Sequence, residues 1–258
     1  MGDWNTLHHF DDKKFYSIIV PDLKSNGQLL GKYFNSEFGK YVAYANDKNT
    51  ERIAEIVTLN QFLDKDFKHH KTLFDIQNRK KGINEDYSEF IKKRSQDEEN
   101  FQKANGHIIE DINLILTLII FSECAAFNPH LILGRSIFTG NVSAKSKSVA
   151  EEIIYNFTNN EIGSIFYSSC SNCTGFINWI TNEDLRLLWL DKENLQPADN
   201  SSEKYFSDFY KFIEIAVENE LGVIAGTNMN EDILKLIQSP LSVKIDLKQL
   251  GLESVINY

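Results

Sequence analysis

Cysteine, proline and long apolar runs are scarce in this chain of 258 residues, and each scarcity excludes a class of protein. Three cysteines are too few, and odd in number, for the disulfide framework of a small secreted domain. Four prolines and 13 glycines exclude a fibrous or low-complexity chain. The most apolar stretch, residues 112–121, is interrupted by Asn113 and Thr117. It falls well short of the roughly 18 to 20 apolar residues that a bilayer requires, so we expect no membrane-spanning helix.

Basic residues are also fewer than acidic residues. The chain has 27 Lys and Arg residues against 37 Asp and Glu residues, for a formal net charge of −10. A surface of this sign argues against binding to nucleic-acid phosphates or anionic lipid and leaves proteins with a basic surface as partners. The excess is unevenly placed: residues 183–258 hold 14 acidic and 7 basic residues, whereas residues 1–103 are balanced.

What is present indicates a globular protein of the cytoplasm. Hydrophobic residues make up 42% of the chain and aromatic residues 12%, enough for a core that needs neither disulfides nor a metal. The N-terminal residues have no basic segment followed by an apolar run, so we expect no secretory signal. Isoleucine (28) and asparagine (25) far outnumber alanine (11), a bias typical of an AT-rich bacterial genome.

The first hundred residues predict a small sheet followed by a charged helical arm. Residues 15–20 and 40–45 have the composition of short strands, with turn signals between them. Residues 64–103 hold 10 basic and 9 acidic residues around a narrow apolar stripe, which is typical of a solvated helical arm. We therefore expect a small N-terminal sheet.

Apolar periodicity predicts the elements of the remaining chain. Residues 107–127 are apolar on nearly all sides, which predicts a buried core helix, and residues 143–157 predict another helix. Apolar residues then recur at every second position, which predicts a β-hairpin at 164–181. Helices are predicted from Asn182 and from Ser202, the second of them ending at a left-handed Gly222.

The order strands, helices, hairpin, helices favours an α+β fold, mainly helical, over a regularly alternating parallel sheet. We predict a last helix near 231–238 and an edge strand at 243–247. The whole chain, 1–258, is interpreted as one domain. The alternative is a subdivision into 1–105, with the strands and the charged arm, and 106–258, with the core helix, the hairpin and the acidic helices.

The sharpest chemical feature is the pair Cys170 and Cys173, because two thiolates at this spacing can bind one metal ion or form a reversible disulfide. A structural zinc ion needs four ligands, and only Cys124 and His130 are at hand to complete the set. The favoured interpretation is therefore two small cysteines at a hairpin tip or in the core, with no cofactor, and zinc is the alternative. Elemental analysis of the purified protein would decide between them.

The sequence carries no named catalytic template: GxSxG, HExxH, GxxxxGK[ST] and GxGxxG are all missing. An enzyme would have to use Cys170 or Cys173 as a nucleophile with His130 or His107 as its base. The adjacent pairs His8-His9 and His69-His70 are interpreted as surface residues, because neighbouring side chains diverge.

The leading hypothesis is a non-catalytic bacterial domain that binds a basic protein, of the kind in which an immunity protein inhibits a toxin. A sensor or scaffold component would use the same surface. The residues predicted to bind the partner are the acids of the C-terminal third: Glu183, Asp184, Asp208, Glu214, Glu218, Glu220, Glu231 and Asp232.

Overall fold

The computed structural model describes residues 5–25, 27–37, 39, 108–133, 149–158, 175–196, 203–229, 239–242 and 255–256. Several predicted features lie outside these residues: the strand 40–45, the charged arm 64–103 with its two histidines, the first hairpin strand 164–169, the helix 231–238 and the strand 243–247.

A five-stranded antiparallel sheet forms the centre of the structure. In chain order the strands are β1 (Asn5–Phe10), β2 (Ala125–Leu133), β3 (Gly175–Ile180), β4 (Gly222–Thr227) and β5 (Val255–Ile256). Their order across the sheet is β3-β4-β1-β2-β5, and every neighbouring pair is antiparallel. The N-terminal strand is thus the middle strand of a sheet assembled from distant parts of the chain.

Helices surround the sheet. They are α1 (Asp12–Lys14), α2 (Val20–Lys24), α3 (Gln28–Phe34), α4 (Ile108–Glu123), α5 (Val149–Thr158), α6 (Asn182–Leu190) and α7 (Glu203–Glu218). A π-helical turn, Phe15–Ile19, joins α1 to α2, and a 3₁₀ turn, Lys192–Asn194, follows α6. Among the described residues, no helix is long and apolar enough to cross a membrane.

Both faces of β1 are covered, and this explains its sequence. Leu7 belongs to a core cluster with buried residues of α5, α6 and α7. On the other face, the His8 ring contacts Phe121 of α4, and the Phe10 ring contacts Phe15. Residues 6–10 are therefore all buried, although they do not alternate between apolar and polar.

The α+β fold class predicted from the sequence is confirmed, with different element boundaries. The core helix is present, and its residues 115–121 are buried, but it ends at Glu123 rather than at 127. The apolar run continues because the chain passes directly from a buried helix into the buried strand β2. Periodicity alone cannot separate two apolar elements joined in this way.

The prediction of a strand at residues 15–20 is wrong. Asp11 caps the helical stretch, since its side chain accepts a hydrogen bond from the Lys14 backbone N–H (2.8 Å). Phe15 and Ile19, four residues apart, are buried on one side, and Ile18 is exposed. This spacing is helical, and the β-branched composition that suggested a strand is overridden by packing.

The prediction that Gly222 ends the preceding helix in a left-handed conformation is also wrong. Glu220 occupies that position, with φ of 55°. The Leu221 N–H donates to the Ala216 carbonyl (2.8 Å), and the Glu220 N–H donates to the Val217 carbonyl (3.2 Å), which is a Schellman motif. Gly222 instead begins β4, where a Cβ would lie 2.4 Å from the Ile180 carbonyl oxygen.

Candidate functional site

Helix α6 presents two different faces. Its buried side carries Leu185 and Leu188, which belong to the core. Its outer side carries four exposed residues at helical spacing: Glu183, Arg186, Leu187 and Leu190. Leu190 is 82% exposed and Leu187 is 45% exposed. The outer stripe of α6 thus combines charge with two large apolar side chains.

The start of α6 uses one of the predicted partner-binding acids for a structural purpose. Thr181, rather than the predicted Asn182, is the N-cap, and its hydroxyl accepts from the Asp184 backbone N–H (3.3 Å) and donates to the Asp184 carboxylate (3.1 Å). Asp184 is half-buried by this arrangement, which resembles a capping box. Glu183 is beside it in the first turn and exposed, where its charge also favours the helix dipole.

Helix α7 confirms the predicted amphipathic pattern with one correction. Phe209, Ile213 and Ala216 are buried on the sheet side, and Glu214 and Glu218 are exposed. Asp208, one of the acids predicted to bind the partner, is only 8% exposed, so α7 is covered on more than the side that carries its apolar residues.

Aromatic contacts hold α6 against α7. The Trp189 and Tyr210 rings pack edge to face, with centroids 6.4 Å apart. The Tyr210 hydroxyl donates to the Lys192 carbonyl (2.7 Å), and burial raises the pKa of Tyr210 to about 12, which keeps this donor protonated. The Lys192 ammonium lies 3.6 Å from the centre of the Trp189 ring. Glu214 follows Tyr210 by four residues and is therefore on the side of α7 that borders α6.

Glu220 extends the acidic surface beyond the end of α7. Its carboxylate contacts the Lys13 ammonium (2.5 Å) and the Arg186 guanidinium (3.9 Å), and the hydrogen bond from Lys13 lowers its pKa. All three side chains are more than half exposed. The Arg186 contact places Glu220 beside α6, so the acids of the two helices belong to one surface.

We call the four exposed glutamates of this surface the acidic face: Glu183, Glu214, Glu218 and Glu220. Of the other predicted residues, Asp184 is bonded to the N-cap residue Thr181, Asp208 is buried, and Glu231 and Asp232 lie outside the described residues. Residues 182–194 and 203–220 together contain nine acidic residues, of which Asp208 is buried, and four basic residues. Even with Lys13 added as a fifth basic residue, the surface around the acidic face carries excess negative charge.

The interpretation of His8 and His9 as surface residues is wrong, since both are completely buried. The His8 Nδ1–H donates to the Phe127 carbonyl (2.9 Å), and its Nε2 accepts from the Thr6 hydroxyl (2.7 Å). The His9 ring stacks on Phe212 of α7, with centroids 3.9 Å apart. The sequence contains no signal for this burial, because it depends on helices that cover both faces of β1.

His8 fits a bulge in β2. His8 pairs with His130 and Phe10 pairs with Ala125, so one residue of β1 faces four residues of β2 between these pairs. The His8 ring stacks on Phe127, inside this bulge, and its hydrogen bond satisfies the Phe127 carbonyl. The His8 imidazole thus supplies the hydrogen bond that the Phe127 carbonyl would receive from the neighbouring strand in a regular sheet, which is a structural role.

Of the four predicted metal ligands, the structure describes only Cys124 and His130. Cys124 is buried, and desolvation raises its pKa well above the ordinary value, so the thiol is protonated. His130 is buried beside His8, and its Nδ1 contacts the Asn128 side-chain oxygen (3.1 Å). No group of three or more His, Cys, Asp or Glu side chains that could hold a metal ion occurs in the described part of the chain. Cys170, Cys173 and His107 lie outside it, and a zinc site or a cysteine nucleophile there stays a prediction.

Comparison with known proteins identifies no relative of this chain. No protein-family model matches the sequence, and no curated protein and no solved structure matches it. Its function must therefore be inferred from the chemistry of the surface itself.

Proposed function

We propose that this chain is a non-catalytic bacterial protein of the cytoplasm that binds a partner protein with a basic surface through the acidic face of α6 and α7. The observation that carries the proposal is the placement of Glu183, Glu214, Glu218 and Glu220. These exposed glutamates come from separate segments and share one surface, linked by the Arg186–Glu220 and Trp189–Tyr210 contacts.

The rigidity of this surface also supports a binding role. Both helices are fixed to the sheet by buried residues, among them Leu188 of α6 and Phe212 of α7. Charges on fixed helices form a defined pattern, which favours a specific partner and a high association rate over diffuse attraction. An immunity protein that covers the basic active site of a toxin is the kind of function that such a pattern would serve.

The test compares charge-reversed variants of the full chain. Glu214→Lys and Glu218→Lys are made separately, immobilised, and used to capture proteins from a lysate of the producing organism at low salt, with quantification by mass spectrometry. Because charges at the rim of an interface act chiefly on the association rate, we expect each variant to retain its main captured protein about fivefold less than the original chain. The deficit should shrink in high salt, where exposed charges are screened.

Glu37→Lys is the matched control, since Glu37 is exposed outside α6 and α7 and its reversal changes the net charge by the same amount. It should leave capture unchanged. Lysozyme serves as a generic basic protein, and equal retention of lysozyme and of the captured protein would mean that the acids only provide solubility. Equal capture by all variants at every salt concentration would refute the proposal.

A further inference from the structure

Two of the four large hydrophobic residues that are exposed among the described residues lie on one helix, α6. Leu187 and Leu190 are three residues apart and therefore adjacent on its outer face. The other two, Ile18 and Val149, lie on separate elements. An exposed leucine by itself is ordinary, but a pair on a rigid helix is an apolar spot that is costly to leave in water.

The surroundings of this pair are acidic. Glu183 precedes Leu187 by four residues and lies on the same side of the helix, and Glu193 is exposed just beyond Leu190. Two basic side chains lie in the same segment: Arg186 contacts Glu220, and Lys192 covers the Trp189 ring. The excess negative charge around the leucines therefore depends on the glutamates of α7 as well as on Glu183 and Glu193. An apolar centre with a charged rim is the usual anatomy of a protein interface.

From this arrangement we infer that Leu187 and Leu190 are the apolar anchor of the partner-binding surface, and that the occupant is a basic amphipathic helix of the partner protein. Its apolar side covers the two leucines, and its Lys or Arg residues face the acidic face. This inference rests on the proposed function and adds to it the element that the partner contributes. The leucine pair matches one turn of such a helix, as in helix-in-groove recognition.

Charge argues against the other occupants of this spot. A second copy related by a two-fold axis would place α6 against α6 and bring the glutamates of the two acidic faces together, which is repulsive. An anionic lipid surface would be repelled in the same way. A basic helix meets the leucines and the glutamates with favourable contacts at once.

The test uses two defined peptides, an amphipathic helix of Lys and Leu and its counterpart of Glu and Leu, each titrated with the full chain by fluorescence anisotropy. We expect the Lys/Leu peptide to bind and the Glu/Leu peptide to bind at least tenfold more weakly. In Leu187→Gln/Leu190→Gln, affinity for the Lys/Leu peptide should fall by about tenfold, because truncating a central apolar anchor costs more than truncating the rim. The native partner captured from lysate should be lost in the same variant.

Ile18→Gln is the control, since it removes an exposed apolar side chain from a different element and should bind the peptide normally. Circular dichroism of both variants should match that of the original chain, and their thermal midpoints should shift only slightly, because every substituted side chain is at least 45% exposed. Sedimentation that shows a dimer abolished by Leu187→Gln/Leu190→Gln would assign the spot to a second copy and overturn the inference.

The outcomes separate this inference from the proposed function. If Glu214→Lys weakens capture and the leucine variant does not, the acidic face binds the partner without this anchor, and the inference is wrong while the function stands. If neither variant changes capture, both are wrong. Equal loss of peptide affinity in the leucine and control variants would also overturn the inference.

Discussion

His8 and His130 lie directly opposite each other on neighbouring strands, with ring centroids 5.5 Å apart and both side chains completely buried. Burial, and then the nearby His130, lower the pKa of His8 to about 3, and burial lowers the pKa of His9 to about 4. Both His8 and His9 are therefore neutral in the folded protein at ordinary pH.

The first prediction is that stability falls as the solution becomes mildly acidic. In the unfolded chain these histidines have pKa values near 6.5, so the unfolded chain binds protons first as the pH falls. The contribution of the two neutral histidines to the free energy of unfolding is fully present above about pH 6.5. It is lost progressively as the pH falls towards their pKa values in the folded protein, about 3 and about 4. At pH 5, above the ordinary range of carboxylates, each of the two should cost about 2 kcal/mol of unfolding free energy. Urea unfolding at pH 7.5 and pH 5 measures the difference.

The variant His9→Gln provides the control for this pH dependence. Its amide keeps a donor for the Phe212 carbonyl, which His9 contacts at 3.2 Å through Nε2, and it cannot titrate. The loss of stability between the two pH values should shrink by roughly half. An unfolding free energy of the original chain that is equal at pH 7.5 and pH 5 would contradict the prediction.

The second prediction concerns Thr6, whose hydroxyl supplies the hydrogen bond to His8 Nε2. Thr6→Val keeps the shape of the side chain and leaves a buried nitrogen acceptor without its donor, so we expect a loss of about 1 to 3 kcal/mol. Thr6→Ser keeps the hydroxyl and should preserve the ¹⁵N chemical shift of His8 Nε2, which should move in Thr6→Val. A Thr6→Val protein with an unchanged Nε2 shift would show that this hydrogen bond is not formed in solution.

The third prediction compares two glycines. A Cβ on Gly222 would lie 2.4 Å from the Ile180 carbonyl oxygen and 3.2 Å from Asp12 Oδ1, so Gly222→Ala must displace the backbone. We expect it to destabilise the protein by about 1 to 3 kcal/mol, as overpacking does. Gly31 lies inside α3 with no atom within 4 Å of its Cβ position, so Gly31→Ala should stabilise by about 0.5 to 1 kcal/mol. Thermal unfolding of both variants checks the opposite signs, and a stable Gly222→Ala protein would contradict the close approach of β3 and β4.

The boundaries of the elements illustrate how far local patterns reach. The apolar positions of α7 recur at helical spacing, and the buried face that they predict is the observed one, with Phe209, Ile213 and Ala216 towards the core. Residues 15–20 show the opposite case, because a short β-branched run suits a strand or a helix, and Asp11 capping with the burial of Phe15 and Ile19 selects the helix.

Part of the candidate site can be predicted from the sequence, because part of it depends only on residue type and position. The concentration of acids after residue 182 is a property of the sequence, and it is enough to indicate the two helices α6 and α7. The separate roles of the acids are not predictable, since the bonds of Asp184 to the N-cap Thr181 and the burial of Asp208 depend on what packs beside each residue. The exposure of Leu190 has no signal in the sequence either, because a leucine on a helix is ordinarily a core residue.

The sequence by itself determined the α+β class, the apolar core helix, the amphipathic α7 and the placement of negative charge, since each depends on residue type and local spacing. Only the tertiary structure decided that β1 is the middle strand, that His8 and His9 are buried, and that Glu183 and Glu220 share a surface. The physical reason is that burial and proximity are set by segments that are distant in the chain, and for β1 these segments are more than a hundred residues away. The Phe127 carbonyl that pairs with His8, and the β4 strand beside β1, are such partners.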